Sequence, residues 1–194
     1  MERRSFIKAG IMSLGAMAIA NKSMALEYYP KQSDKKWAVI YGTWCGSSRD
    51  AGVWISEGMG GIADVFDVRE NPDPKGYDHV VIGGSIRSFQ VSQELQDYLK
   101  KNKAVLKDKI RGFFCVCGNQ KQPTGPAQVK QYIDDHLSKI TGVSGVPART
   151  FNGRITFSLV EPQYVDMLKS YGEYDFMKRA DFLEFGKTIL ASVK

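Results

Sequence analysis

Between Trp37 and Ile55 the sequence reads WAVIYGTWCGSSRDAGVWI. An apolar, β-branched run passes into a segment of helical spacing through Thr43, Trp44, Cys45, Gly46, Ser47 and Ser48. Hydroxyls at Thr43, Ser47 and Ser48, a glycine that permits a tight turn, and the unpaired N–H groups of a helix start suit a phosphate, because a helix N-terminus carries partial positive charge. A plainer reading stands beside it, in which Ser47 or Ser48 is only an N-cap. No Gly-Lys-Ser/Thr follows, so the loop is not a Walker loop, and the three spaced glycines of a dinucleotide fingerprint are missing. Lacking a lysine, the loop would hold a phosphate through backbone and hydroxyl hydrogen bonds. Two further turns follow apolar runs: GGSIRSF, Gly83 to Phe89, and CGNQKQPTG, Cys117 to Gly125.

Other chemistries find little support. The sequence offers no Ser-His-Asp set, no paired carboxylates at a fixed spacing and no evident general base. His79 falls at the start of a strand and His136 on a polar helical segment, neither with a ligand nearby, and no Cys/His spacing makes a zinc site. Three cysteines, Cys45, Cys115 and Cys117, are an odd number. Cys115 and Cys117 lie two apart in a strand-like run, so their side chains share a direction; a strained disulfide is one reading and two small buried apolar groups the favoured one.

The elements that must position these loops are legible from periodicity. KKWAVIYG, IADVFDV, YDHVVIGGS, IRGFFCVCGN and GVPARTFNGRITF read as five strands. Between and after them run helical segments: SSRDAGVWISEGMG with Val53, Trp54 and Met59 on one side, then VSQELQDYLKKN with Val91, Leu95, Tyr98 and Leu99 facing inward. PAQVKQYIDDHLSKI carries Pro126 at a first helical position and a stripe of Val129, Ile133, Leu137 and Ile140. DFMKRADFLEFGKTILASV closes the chain, and residues 158–174 receive no assignment. Strands alternating with helices predict an α/β protein with a parallel sheet covered on both faces, without internal repeat or second domain. In such a sheet ligands bind at the carboxyl ends of the strands, where the loops above fall.

The chain has 194 residues and a formal net charge of +6. Its first 25 residues, MERRSFIKAGIMSLGAMAIANKSMA, read as a targeting segment with paired arginines, an apolar stretch broken by Lys8, and small residues before a cleavage point after Ala25. An N-terminal anchor is the alternative, although the apolar stretch is shorter than the roughly 20 residues that span a bilayer. Without this segment the balance is too mildly basic to argue for nucleic acid. RRSFIK resembles the twin-arginine export motif, with Arg3, Arg4, Phe6, Ile7 and Lys8 fitting and Glu2 in place of the usual hydroxyl residue. That resemblance implies export in the folded state to the periplasm or another extracytoplasmic space, with 26–34 as a linker and 35–194 as the folded domain.

From Lys35 onward the chain resembles the flavodoxin-like superfamily, whose phosphate loop reads Thr-x-Thr-Gly-x-Thr. Thr43-Trp44-Cys45-Gly46-Ser47-Ser48 keeps the first Thr, the Gly and a final hydroxyl, with Cys45 at the middle Thr. YDHVVIGGSIRSFQVSQELQDYLKKN is similar to the equivalent stretch of menaquinone-dependent protoporphyrinogen oxidases, whose strand also ends Gly-x-Ser-Ile-Arg. The resemblance implies a three-layer sandwich with strand order 2-1-3-4-5 and bound FMN. Its phosphate would lie on residues 43–48, and its ring would lie between Ser85, Ile86 and Arg87 on one side and Cys117, Gly118 and Asn119 on the other. Arg87 would face an anionic reduced ring or an acidic partner, and Trp44 and Phe89 would be the candidate stacking aromatics.

The expected function is thus an exported FMN-binding redox protein. As alternatives it is a quinone-linked dehydrogenase, which fits GGSIRSF, or a flavin-free interaction module, which Cys45 favours. Expected partners are a redox protein or the menaquinone pool, with peripheral membrane contact and no nucleic acid.

Overall fold

A computed structural model describes residues 30–118 and 124–193. The candidate targeting segment 1–25, the first part of the linker 26–34, and Asn119 lie outside the described residues.

Five parallel strands form one sheet: β1 (Trp37–Gly42), β2 (Ala63–Asp67), β3 (His79–Ser85), β4 (Ile110–Cys117) and β5 (Ala148–Asn152), in the order β2-β1-β3-β4-β5. The four major helices are α1 (Ser47–Gly58), α2 (Gln93–Leu106), α3 (126–141) and, at the end of the chain, a helix spanning Arg179–Ser192. Parallel strands require crossovers, and the crossovers place helices on both faces. The result is the three-layer α/β sandwich expected, with the order expected.

Alternation along each strand divides the core in two. On one face Ala38, Ile40, Val80, Ile82, Phe113 and Cys115 meet Leu95 and Leu99 of α2 and Ile133 and Leu137 of α3. On the other, Val39, Tyr41, Val81, Phe114 and Phe151 meet Ile55 and Met59 of α1 and Phe182, Phe185 and Ile189 of the last helix. Burying each such large side chain contributes about 1.5–3 kcal/mol. Two expectations need correction. In α1 the buried stripe is Ala51, Ile55 and Met59, whereas Val53 is exposed and Trp54 only half-buried, because Gly52 and Ala51, having little or no side chain, let the helix lie close on β1 and β2. The fifth strand is also shorter than 145–157: after Asn152 the chain leaves the sheet at Gly153, where a Cβ would stand 2.9 Å from Val116 Cγ1.

Residues 153–178 form a strap beyond the sheet. Two-residue strands β6 (Arg154–Ile155) and β7 (Tyr174–Asp175) pair antiparallel, and α4 (Pro162–Leu168) lies between them, so that the last helix, α5, starts only at Arg179. Helix α3 is also unusual, since Val129–Ser138 is wound as a π-helix, a form seen mostly as single turns.

Cys115 and Cys117 are buried and are not joined by a disulfide, and burial drives the Cys115 thiol well above its ordinary range, which keeps it an unreactive core group. Burial likewise pushes His79, which packs on Trp37, and His136 below the usual imidazole value. Both therefore hold fewer protons folded than unfolded as the medium becomes acidic. Stability is expected to be level above about pH 6.5 and to fall progressively below it, as unfolded imidazoles take up protons that the native state resists. Denaturant melts from pH 7.5 to 5 check this, and His79→Gln with His136→Gln should flatten the slope.

Candidate functional site

The parallel sheet aims the turns after β1, β3 and β4 at one edge. Gly42 pairs with Gly84 across β1 and β3, and a Cβ on Gly84 would stand 3.1 Å from the Gly42 carbonyl, so two glycines bring these turns together. A cleft of about 530 Å³ opens there, lined by Trp44, Cys45 and Ser47 from the first turn, Ser85–Phe89 from the second and Cys117 and Gly118 from the third. The strap closes its remaining side with Arg154, Met167, Leu168, Tyr171 and Tyr174. A hollow of similar size, about 580 Å³, lies at the opposite ends of the strands near Lys36 and Trp37, away from the turns that end in helix N-termini.

The first turn is held by hydrogen bonds of its own. Gly46 is the N-cap of α1 at φ 82°, in the left-handed region, and no side chain caps the helix. Ser47 and Ser48 are thus not N-caps. Thr43 Oγ1 accepts from the Gly46 N–H at 3.0 Å and keeps its own proton available to donate. Ser47 Oγ donates to the Arg154 carbonyl at 3.3 Å, and Cys45 Sγ lies 3.8 Å from the same oxygen. Ser48, fully buried, shares a 2.6 Å hydrogen bond with Ser85, which fixes the start of α1 to the end of β3. The uncapped first turn leaves its N–H groups as the natural seat for an anion. Buried polar atoms without hydrogen-bond partners among the described residues collect around this loop: Trp44 Nε1, Arg87 Nη1 and Arg154 Nε. Orphaned buried donors are costly, and three of them beside an uncapped helix start fit a ligand rich in acceptors.

In the second turn the Ile86 N–H donates to the Val116 carbonyl at 2.8 Å, tying the turn to β4. The Arg87 guanidinium lies between two rings, 4.0 Å from the Trp44 centroid and 4.3 Å from that of Tyr164, with Glu161 at 3.5 Å. Each ring contact of this kind contributes about 0.5–2 kcal/mol. Trp44 therefore packs on Arg87, and Arg87 faces an acid of its own chain. Ser88 and Phe89 both have positive φ, 48° and 65°, and the Arg87 and Gln90 backbones bond to each other across them. Such a tight two-residue turn ordinarily uses Asn-Gly, and it presents Phe89 65% exposed at the cleft mouth. Phe89→Gly is expected to raise stability by about 0.5–1 kcal/mol by relieving that strain, read from the midpoint of a denaturant melt.

In the third turn Cys117 is buried and Gly118 exposed, with Tyr174 Oη only 2.7 Å from where a Gly118 Cβ would stand. The strap residues at this site, Arg154, Glu161, Tyr164 and Tyr174, were not foreseen. Glu161-Pro162 before a Tyr164, Leu168, Tyr171 spacing is the signal of a short helix with an apolar side that points to Glu161 and Tyr164, whereas Arg154 and Tyr174 carry no such signal.

A family model described as "Flavodoxin domain" matches residues 38–164. The chain belongs to the flavodoxin domain family. Solved structures agree on the fold. Oxidised flavodoxin 1 from Bacillus cereus superposes with a TM-score of 0.51 at 14% identity, covering 82% of this chain and 99% of that one. A Streptococcus pneumoniae TIGR4 flavodoxin gives 0.51 at 12% identity, covering 81% and 99%. Rubredoxin oxygen:oxidoreductase from Desulfovibrio gigas gives 0.52 at 12% identity over 81% of this chain, which spans only 35% of that longer protein. No curated protein matches the sequence. In this flavodoxin domain the candidate site lies at the carboxyl edge of β1, β3 and β4, with a strap folded against it.

Proposed function

We propose that the protein binds FMN in the cleft between the three turns and transfers electrons through it, and that it does so after export by the twin-arginine route. The observation that carries the reading is the uncapped start of α1 after Gly46, ringed by orphaned donors and opening into a 530 Å³ cleft at the carboxyl edge of a flavodoxin domain. Bound FMN would supply one- and two-electron transfer. The chain's own residues would do the rest. The first-turn N–H groups and the Thr43 hydroxyl would hold the phosphate. Ile86 and the β4 end would hold the ring edge, and the strap residues Leu168 and Tyr171 would exclude water.

The protoporphyrinogen-oxidase-like reading is a second proposal, favoured by Ser85-Ile86-Arg87 and by the cationic guanidinium fixed beside the cleft. In it the electron acceptor is a quinone. In the carrier reading a partner protein docks at the mouth, where Phe89, Met167 and Tyr171 are exposed. Oxidising the reduced, flavin-loaded protein with a quinone or with an oxidised acceptor protein separates the two. Export is tested by Arg3→Lys with Arg4→Lys, which should strand the precursor in the cytoplasm; unchanged periplasmic yield contradicts it.

A further inference from the structure

The loop 43–48 contains no cation, yet one stands over it. Arg154, at the start of the strap, lies against the loop. Its carbonyl accepts from Ser47 Oγ, and its guanidinium Nη2 lies 3.8 Å from where a Gly46 Cβ would stand. The same Nη2 forms a 2.5 Å salt bridge with Asp50 in the first turn of α1. Nη1 is 3.9 Å from Asp175, Nε is buried without a partner among the described residues, and the side chain is only 16% exposed. Arg49 also contacts Asp50, at 3.1 Å, but its side chain is 60% exposed and so largely screened by water.

Asp50 suits the positive end of a helix, but it also fixes a negative charge within one turn of the N–H groups that an anion would use. A phosphate dianion seated there would be repelled unless a cation stood between the two, and Arg154, paired with Asp50 and lying near Gly46, is a cation within reach of both. Its planar fork offers several donors, of which Asp50 takes one firmly, Asp175 holds another only loosely and Nε is unclaimed.

We propose that Arg154 makes this site selective for a phosphorylated flavin, its guanidinium bridging Asp50 and the phosphate. The inference rests on the FMN reading above and adds to it the residue that distinguishes FMN from riboflavin. The strap then supplies, 107 residues beyond Ser47, the charge that the loop lacks.

Titration of the flavin-free protein with FMN and with riboflavin, followed by quenching of flavin fluorescence, tests it. Arg154→Gln is expected to weaken FMN binding about tenfold or more while riboflavin affinity stays within about twofold, since a charge-assisted contact is lost for only one ligand. Arg154→Lys, which keeps the charge, should retain the preference for FMN. Asp50→Asn should tighten FMN, and Arg154→Gln with Asp50→Asn should recover part of the loss. Equal weakening of both flavins by Arg154→Gln, or unchanged FMN affinity, overturns the proposal and assigns Arg154 a structural role. A native protein that takes up neither flavin instead overturns the FMN reading beneath it.

Discussion

Gly58→Ala is expected to destabilise the protein by about 2–3 kcal/mol, although alanine is the better helix former by about 1 kcal/mol. The reason is the crossing of α1 with α5. A Cβ on Gly58 would stand 2.1 Å from the Leu183 carbonyl oxygen, and one on Gly186 would stand 2.2 Å from the Ile55 carbonyl oxygen. Both obstacles are helix backbone, which cannot turn aside as a side chain can. The helices would have to separate, loosening the layer in which Ile55 and Met59 pack with Phe182 and Phe185. Because α1 also carries the first turn, its displacement would move the N–H groups at its start. Denaturant melts of Gly58→Ala and Gly186→Ala check the prediction, and stability within about 0.5 kcal/mol of the parent would contradict it.

Gly46→Val is expected to lower flavin affinity by about tenfold or more. The space beside Gly46 is adequate, since the nearest atoms to an added Cβ are Arg154 Nη2 at 3.8 Å and Leu159 Cδ1 at 4.0 Å. The obstacle is the backbone. At φ 82° a β-branched residue is strained by about 1–2 kcal/mol or more. Relief comes from rotating the peptides on either side, which breaks the Thr43–Gly46 hydrogen bond and turns the Ser47 N–H away from a ligand. Fluorescence titration reads the effect, and unchanged affinity would remove the loop from the site. Ser48, the neighbouring hydroxyl, is a poorer probe. It is fully buried against Ser85, so a carboxylate there would disturb the junction of α1 and β3 whatever the ligand.

The parts of this molecule that repeat at a regular period were legible from its sequence. Leu95, Tyr98 and Leu99 face the core because helical spacing demands it, Val91 is buried just before the N-cap Ser92, and the five apolar runs became the five strands of the sheet. In α1 residue size points to Val53 and Trp54 as the inner side, and the fold departs from it. Where a helix lies close to a sheet, small residues such as Ala51 and Gly52 take the inner face and a valine is turned outward. The strap escaped notice for a different reason. Its strands are two residues long, its helix seven, and it is half-buried, so no period has room to declare itself.

The same holds at the site. The turns after β1 and β3 were identifiable from their own residues, because glycines and hydroxyls following a strand have a local cause. The contacts between turns are long-range and leave no mark on sequence spacing: Ser48 meets Ser85, Arg87 meets Glu161 and Tyr164, and Arg154 meets Asp50. The loop therefore reads in sequence as a lysine-free cradle, whereas in the folded chain an arginine stands beside it. The middle position, Cys45, turns its thiol toward the Arg154 carbonyl that Ser47 also meets.

The most direct measurement is the visible absorption of the purified protein, followed by titration with FMN. The account predicts a yellow protein, or a colourless one that takes up a single equivalent of FMN and quenches its fluorescence. A colourless protein that leaves the fluorescence of added FMN unchanged would contradict it.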